Sequence, residues 1–205
     1  MTTGDAIEQL VAGTLDRVTA LSDGRLETSA PAPSVLLPGS FNPLHDGHRQ
    51  LARVAKEILQ APVAFEISVI NVDKPPLTAD EVRARVAQFV SRASVELTRA
   101  PTFLEKARLF RGATFVVGAD TAERLVAPRY YGGDEARMVA ALRELADLGT
   151  RFLVAVRVDA TSRVHSLADV LIPSQFAPLF TSIPERRFRV DASSSEIRAR
   201  RHAAP

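Results

Sequence analysis

The chain has no cysteine, no tryptophan and no long apolar run. Without cysteine, a disulfide framework and a zinc ribbon are excluded, and the redox compartment stays open. No run reaches the length of about 18 apolar residues that a transmembrane helix needs, so we expect no membrane span. The N-terminal sequence MTTGDAIEQL lacks a basic region followed by an apolar core, so we expect no secretory signal. A cytoplasmic location is therefore the default expectation.

An excess of charge of one sign is also missing. Lys and Arg total 26 against 24 Asp and Glu, a formal net charge of +2, which gives no argument for a nucleic-acid partner. The hydrophobic content of 46% is ample for a core, and 205 residues favour one main domain. The expected partners are small molecules, with neither nucleic acid nor membrane among them, and a homo-oligomer is left open.

The N-terminal part is predicted to pack on the outside of the main domain. Apolar residues at helical spacing over Asp5–Leu21 predict an amphipathic helix. Ser22–Ser34, which holds one Gly and two Pro, is interpreted as a linker. We therefore assign residues 1–34 to an N-terminal helix and linker, and residues 35–205 to the main domain.

Short apolar runs alternate with helical patterns through the main domain, and Val164–Pro184 is interpreted as irregular. A capping box formed by Thr78 and Glu81 predicts the start of one helix. Strands are expected at Val35–Leu37, Ala64–Ile70, Val95–Leu97, Thr114–Val117, Phe152–Val156 and Phe188–Val190. The alternation predicts an α/β fold, a Rossmann-like parallel sheet flanked by helices.

Four polar loops are expected to meet at one edge of this sheet, because right-handed crossovers bring the carboxyl ends of parallel strands together. They are Gly39–His48, Asn71–Lys74, Gly118–Asp120 and Asp191–Arg198. Neither GxGxxG nor GxxxxGK[ST] occurs, which excludes the dinucleotide-binding fingerprint and the P-loop.

The first of these loops carries the clearest chemistry. Val35–Leu51, VLLPGSFNPLHDGHRQL, has the layout of a strand, a tight turn and a helix, and a helix N-terminus at a sheet edge suits phosphate. His45 and His48 can donate to the same phosphates. Two solvated loop histidines, or half of a metal site, are the alternatives. Since no third ligand stands at a familiar spacing, we expect no protein-bound metal.

Several segments resemble one superfamily. GSFNPLHDGH resembles the HxGH motif of the nucleotidylyltransferases, and ASSSEIR (Ala192–Arg198) resembles their ISSTxIR motif. VVGADTAERL (Val116–Leu125) is similar to the GxD segment of the nicotinamide and nicotinate mononucleotide adenylyltransferases. FLVAVR (Phe152–Arg157) stands where those enzymes have a late strand ending in Arg. The order of these matches agrees from about Val35 to Arg201.

The resemblance implies an adenylyltransferase. A substrate phosphate attacks the α-phosphate of ATP, pyrophosphate leaves, and Mg²⁺ is held largely by the ATP phosphates and water. The implied acceptor is nicotinamide or nicotinate mononucleotide. Phosphopantetheine or a sugar or alcohol phosphate as acceptor, CTP as donor, and a nucleotide-binding regulatory protein without turnover are the alternatives left open.

The resemblance also implies roles for residues on the ATP side. His48 donates to the α-phosphate, and His45 contacts the β- or γ-phosphate. Asp120 accepts hydrogen bonds from the ribose, and Gly118, two residues before it, is also assigned to the ATP site. Backbone N–H groups of Gly39, Ser40 and Phe41 are expected at the phosphates, as are Ser193, Ser194, Ser195 and the catalytic Arg198.

On the acceptor side, the resemblance assigns Lys74 to the mononucleotide phosphate, with Asn71 in the same loop. Tyr130 and Tyr131 are candidates for stacking on a base or pyridine ring, a role that a Trp has in the relatives. Arg157 is expected to contact either nucleotide. The alternatives are a solvated loop Lys, surface turn tyrosines and an Arg that closes a helix dipole.

Overall fold

An eight-stranded, mostly parallel sheet forms the centre of the structure, a computed structural model that describes residues 3–72, 75–158 and 164–188. Its strands are β1 (Arg17–Ala20), β2 (Leu26–Glu27), β3 (Val35–Pro38), β4 (Ala64–Ser68), β5 (Val95–Thr98), β6 (Thr114–Gly118), β7 (Arg151–Ala155) and β10 (Phe180–Ser182). A separate antiparallel pair joins β8 (Arg157–Val158) and β9 (Val164–His165).

Helices connect most of the strands. They are α1 (Thr3–Ala12), α2 (Asp46–Leu59), α3 (Ala79–Val86), α4 (Phe103–Leu109), α5 (Ala119–Leu125) and α6 (Glu135–Asp147), with 3₁₀ turns at Ala87–Phe89, Pro128–Tyr131, Leu167–Asp169 and Ser174–Leu179. The capping box predicted for α3 is confirmed. Thr78 Oγ1 accepts from the Glu81 backbone N–H at 3.3 Å, and the Glu81 carboxylate accepts from the Thr78 N–H at 2.8 Å.

The strand order is β10-β7-β6-β3-β4-β5-β1-β2. The run from β10 to β5 is parallel, while β1 pairs antiparallel with β5 and β2 antiparallel with β1. The chain starts its parallel strands at β3, moves outward through β4 and β5, and then returns to the other side of β3 for β6. The carboxyl ends of β3 and β6 therefore form a topological switch point, which is where open α/β sheets bind ligands. The predicted α/β, Rossmann-like parallel sheet is confirmed.

Each face of the sheet has its own hydrophobic cluster. Side chains alternate along a strand, so Val35 and Leu37 of β3 belong to the cluster under α1, α2 and α3. Leu36 belongs to the cluster under α4, α5 and α6. Both faces of β3 are therefore buried, as its continuous apolar run predicts.

The N-terminal helix is shorter than its apolar stripe predicts. The helix α1 ends at Ala12, and Gly13 follows with φ +88°, the left-handed conformation that commonly ends helices. The predicted helix over Arg17–Ala20 is wrong, because this segment is β1, and Val18 pairs with Leu97 of β5 in the core. Part of the predicted linker forms β2, so the residues before Val35 extend the same sheet.

The late part of the chain differs as well. Within the segment interpreted as irregular, β10 pairs in parallel with β7, and Phe180 stacks on Phe152 with ring centroids 5.1 Å apart. Three residues are too few for a periodic pattern, and the strand forms because it covers β7. Phe188, expected to begin a final strand, is in none, and residues 189–190 lie outside the described part.

Candidate active site

A cavity of about 920 Å³ opens at the carboxyl edge of the sheet. It is lined by the last residues of four adjacent strands, Pro38 of β3, Ser68 of β4, Gly118 of β6 and Ala155 of β7. The cavity thus includes the switch point between β3 and β6. Its volume is near the upper end of the about 300–1,000 Å³ typical of small-molecule and cofactor sites.

Three of the four polar loops expected at this edge contribute to the cavity. Their lining residues are Gly39, Ser40, His45, His48, Asn71, Gly118 and Asp120. The fourth loop, with Ser193, Ser194, Ser195 and Arg198, lies outside the described residues, as does Lys74.

The two histidines lie at the start of α2, with His45 at the N-cap and His48 in the first turn. Their rings stack, with centroids 3.7 Å apart and planes inclined by 27°. The backbone N–H of His45 donates to Nδ1 of His48 at 3.3 Å. Because Nδ1 accepts this bond, the neutral His48 ring carries its proton on Nε2. The positive end of the α2 dipole lies at the same place, so the pair suits an anion.

Burial favours the neutral forms of both histidines. Burial, and then the neighbouring His45 and Arg49, lower the pKa of His48 to about 3. Burial is also the main cause that lowers the pKa of His45, followed by the charge of Arg49. His48 therefore acts as a hydrogen-bond donor through Nε2–H without carrying a charge of its own.

Phe41 supports His48 from below and does not line the cavity. Its side chain is 0% exposed, and its ring meets that of His48 edge-on with centroids 4.9 Å apart. A Cβ on Gly39 would lie only 2.7 Å from Cζ of Phe41, so glycine makes room for the ring. The backbone N–H of Gly39 donates to the Glu66 carbonyl at 2.9 Å. The expectation that Gly39 offers this N–H to phosphate is therefore corrected, because the sheet already uses it.

The motif loop is braced from the end of α3 and the 3₁₀ turn that follows. Gln88 Nε2 donates to the Phe41 carbonyl at 2.9 Å, and Gln88 Oε1 accepts from the Leu44 backbone N–H at 2.9 Å. Arg85 lines the cavity and donates through Nη1 to the Ser40 carbonyl at 3.1 Å. Gln88 and Arg85 therefore fix the loop that carries the histidines, and sequence reasoning assigned neither of them.

Asp120 lies in the first turn of α5 and forms an ion pair with Arg157. Arg157 Nη1 donates to Asp120 Oδ2 at 3.0 Å. The other carboxylate oxygen, Oδ1, lies over Gly118, where a Cβ would come within 2.7 Å of it. Gly118 thus leaves space for the carboxylate at the end of β6.

Both predicted tyrosines line the cavity, but their environments differ. Tyr130 is 49% exposed, and the guanidinium carbons of Arg124 and Arg129 lie 5.7 Å and 5.1 Å from its ring centroid. The Tyr131 hydroxyl donates to the Leu125 carbonyl at 2.9 Å, and burial raises the pKa of this phenol. Tyr130 is therefore the ring that a ligand can reach, whereas Tyr131 is tied to the protein.

Three more charged residues line the cavity and were missed in the sequence. They are Glu66 on β4, Lys106 on α4 and Arg124 on α5. Glu66 stands inside an otherwise apolar strand, AFEIS, where a charge needs a buried partner. This charged residue within an apolar strand was the signal in the sequence that could have identified Glu66. Lys106 and Arg124 lie on short helices with no distinguishing pattern.

Among the described residues, no group of three or more His, Cys, Asp or Glu side chains is placed to hold a metal ion. In the same part of the chain, no helix has the length and apolar character required to cross a membrane.

The comparison with protein families matches this arrangement. A family model described as cytidylyltransferase-like matches residues 36–200, which is most of the chain and includes every loop discussed above. The chain belongs to the cytidylyltransferase-like family. This family places it among the nucleotidyltransferases, as the motif resemblance predicts. A comparison with curated proteins finds no match to the chain.

The described part of the site combines features that suit a bound nucleotide. Donors at the start of α2 suit phosphate, and the carboxylate of Asp120 suits sugar hydroxyls. Arginines at the rim supply positive charge.

Proposed function

We propose that the protein is an adenylyltransferase. It transfers AMP from ATP to the phosphate of nicotinamide or nicotinate mononucleotide and releases pyrophosphate. The observation that carries the proposal is that His45, His48 and Asp120 line one cavity at the switch point of the sheet. One bound nucleotide could therefore contact both the histidines of the HxGH motif and the carboxylate of the GxD segment.

The proposed reaction is an in-line displacement. An oxygen of the acceptor phosphate attacks the α-phosphorus of ATP, the bond from that phosphorus to the bridging oxygen breaks, and pyrophosphate leaves with the electron pair. No covalent intermediate with the protein forms. Catalysis therefore rests on positioning the two phosphates and on stabilising the negative charge that develops.

His48 is the proposed donor to the α-phosphate. Its Nδ1 accepts the His45 backbone N–H, so Nε2–H is available to an oxygen of the reacting phosphate. The stacked His45 and the N-terminus of α2 are proposed to hold the departing phosphates. These donors are fixed by Phe41 and Gln88 before substrate arrives, and such preorganisation is what charge stabilisation requires.

The adenosine side is proposed to lie along α5. Asp120 accepts from the ribose hydroxyls, and Arg157 holds the carboxylate in place. Ser193, Ser194, Ser195 and Arg198 are proposed from their motif alone to bind the triphosphate. Arg85 supplies a further cation beside Ser40.

The acceptor side is proposed to use Asn71, Tyr130 and Arg157, with Lys74 at the acceptor phosphate. Without tryptophan, the pyridine ring needs another aromatic partner. Tyr130 is exposed to the cavity, and Phe103 of α4 also lines it. Either ring offers a face or an edge for stacking.

Mg²⁺ is proposed to enter with ATP. The described residues include no cluster of three acidic or histidine ligands, and Asp120 at the cavity is already bonded to Arg157. That donor set fits an ion held mainly by ATP phosphates and water. The metal would supply neutralisation of phosphate charge, while the protein supplies the positions of the phosphates. The proposed partners are thus small nucleotides, in the cytoplasm.

The test is product analysis. Purified protein incubated with ATP, Mg²⁺ and either pyridine mononucleotide is expected to form the dinucleotide and pyrophosphate in equal amounts, measured by mass spectrometry and a coupled phosphate assay. The His48→Ala protein, prepared in the same way, is the control for a contaminating enzyme. Pyrophosphate without dinucleotide, or no reaction with either mononucleotide, would overturn the proposal.

A further inference from the structure

A buried ion pair lies on the wall of the same cavity, away from the histidines. Lys106 Nζ of α4 lies 2.6 Å from Oε1 of Glu66 on β4, and the side chains are only 6% and 1% exposed. Both residues line the cavity. Two opposite charges taken out of water are costly unless their hydrogen-bonding groups are satisfied.

The bonds within the pair converge on one carboxylate oxygen. Glu66 Oε1 accepts from Lys106 Nζ and from Thr98 Oγ1, each at 2.6 Å. Among the described residues, no hydrogen bond is made to Glu66 Oε2. In that same part of the chain, the one fully buried side-chain polar atom lacking a partner is Thr150 Oγ1. Glu66 Oε2 thus has no protein partner among the described residues, on a side chain that lines the cavity.

A neighbouring carboxylate provides the comparison. Glu96 on β5 is the register partner of Glu66, is equally buried, and does not line the cavity. Its Oε2 accepts from Arg17 Nε at 2.7 Å, and the Thr19 hydroxyl lies 3.0 Å from Oε2 and 3.1 Å from Oε1. Each oxygen of Glu96 therefore has a protein donor within hydrogen-bond distance. Glu66 Oε2 has none among the described residues.

Lys106 also has N–H donors that the ion pair does not use. An ammonium group has three N–H donors, and the bond to Glu66 uses one of them. The wall therefore offers an acceptor, Glu66 Oε2, beside a donor, Lys106 Nζ. A ligand group that matches it must present one N–H donor next to one oxygen acceptor.

We propose that Glu66 and Lys106 recognise one group of the acceptor, a primary carboxamide, with the amide N–H₂ on Glu66 and the amide oxygen on Lys106. This inference rests on the proposed function and narrows it, because of the two pyridine mononucleotides only the nicotinamide form carries that group. The nicotinate form carries a carboxylate in its place.

The net charge of the Glu66–Lys106 pair determines which of the two mononucleotides, nicotinamide or nicotinate, binds better. The ion pair is already neutral, so a neutral amide adds no uncompensated charge. A ligand carboxylate would gain Lys106 but would meet the Glu66 carboxylate without any proton to share. Sites built to hydrogen-bond a specific polar group reject analogues that leave buried partners unmatched. We expect the amide form to be preferred by about tenfold or more in kcat/KM.

The test compares both mononucleotides as acceptors for the full-length protein with ATP and Mg²⁺, for wild type and for Glu66→Gln. The substitution removes the negative charge and leaves Lys106 unneutralised, so the wall then favours an acid. We expect the amide-to-acid ratio of kcat/KM to fall by about tenfold or more. The matched control is Glu96→Gln, which disturbs the adjacent buried carboxylate and is expected to leave the ratio unchanged. Thermal unfolding of each variant checks that it is folded.

Lys106→Met keeps the test decisive if Glu66→Gln does not fold. Removing the cation leaves the Glu66 carboxylate to repel an acid, so the ratio is expected to rise while the KM for the amide also rises. Opposite shifts in the two variants support recognition by this pair, since a structural role would move both in the same direction. A wild type that prefers the acid or uses both equally, or a ratio that neither variant changes, overturns this inference and leaves the proposed function standing. No reaction with either mononucleotide overturns both.

Discussion

Arg157 Nη1 donates to Asp120 Oδ2 at 3.0 Å. From the sequence, Asp120 is expected to bind the ATP ribose and Arg157 to contact either nucleotide, but no contact between the two side chains is expected. The side chains are 49% and 36% exposed, so the pair contributes little to folding stability. The ion pair instead fixes the orientation of the Asp120 carboxylate, because Gly118 leaves room for Oδ1 while Arg157 holds Oδ2. Arg157 is thus a positioning residue for the carboxylate that we propose binds the ATP ribose.

Replacing Arg157 is expected to impair the use of ATP more than the chemical step. In Arg157→Met the carboxylate of Asp120 loses its partner and samples other positions. We expect the KM for ATP to rise about five- to tenfold, the effect of about one weakened charge-assisted bond, with kcat changed less than threefold. Steady-state kinetics with varied ATP provide the measurement.

The control for that prediction is Arg129→Met, which breaks the exposed ion pair with Glu123 at 2.9 Å. Arg129 does not line the cavity, so the KM for ATP is expected to stay at its wild-type value. Equal increases in both variants would mean that arginine loss acts through general surface charge, and would contradict the positioning role of Arg157.

Removing the donor of His48 is expected to abolish most turnover without unfolding the protein. Loss of one preorganised donor to a reacting oxyanion lowers kcat by about 10²–10³-fold. We expect that loss in His48→Ala, and a smaller loss in His48→Gln, whose side-chain amide N–H₂ stands near the position of Nε2. Pyrophosphate release and circular dichroism test both statements, and a wild-type rate in His48→Ala would remove His48 from the mechanism.

His48 also predicts how stability depends on pH. Its pKa is lowered to about 3 in the folded protein, whereas an unfolded histidine titrates near 6.5. Between these values the unfolded chain binds a proton that the folded protein does not, so the free energy of unfolding falls as pH falls. From about pH 7 to about pH 5 the loss from this residue is about 2 kcal/mol.

His48→Gln has no titrating group at this position and is expected to lose correspondingly less stability over the same range. Urea denaturation of both proteins at the two pH values measures the difference. Identical losses in wild type and variant would mean that the folded His48 titrates normally, which its burial against Phe41 argues against.

Gly39 is predicted to tolerate no side chain while Phe41 is present. A Cβ would lie 2.7 Å from Cζ of a ring that is completely buried and cannot swing aside. Gly39→Ala is therefore expected to lower the free energy of unfolding by about 1–3 kcal/mol, as overpacking does, and to reduce turnover through His48. Denaturant titration gives the stability.

The double variant Gly39→Ala with Phe41→Leu tests the cause. Leucine is shorter, so the added methyl group no longer meets a ring, and the two losses are expected to be less than additive. Strict additivity would show that the alanine acts elsewhere.

The sequence could predict those helices and strands whose formation depends on a local sequence pattern. The apolar strand Val35–Leu37, the capping box of Thr78 and Glu81, and the alternation of strands with helices all describe contacts within one segment. The general rule on parallel connections places the carboxyl ends of the strands at one edge of the sheet, which is why three of the predicted loops meet at one cavity.

What the sequence could not supply depends on distant partners. Arg17–Ala20 fits a helical stripe and becomes β1 because β5 has a free edge for it. Gln88 looks like any helix surface residue, and its role exists only because Phe41 and Leu44 come within reach. Arg85 carried a weak signal, since it stands three residues after the buried Val82, on the side of α3 that faces the protein.

The most direct test of the account is pyrophosphate release by the purified protein, measured with ATP and with CTP against a set of phosphate acceptors that includes both pyridine mononucleotides. We expect release with ATP only when a pyridine mononucleotide is present, and none in His48→Ala. Release with CTP, or with phosphopantetheine or a sugar phosphate in place of the mononucleotides, would keep nucleotidyl transfer and contradict the proposed substrates. No pyrophosphate release with any acceptor, although the protein binds ATP, would contradict the proposal that the protein is an enzyme.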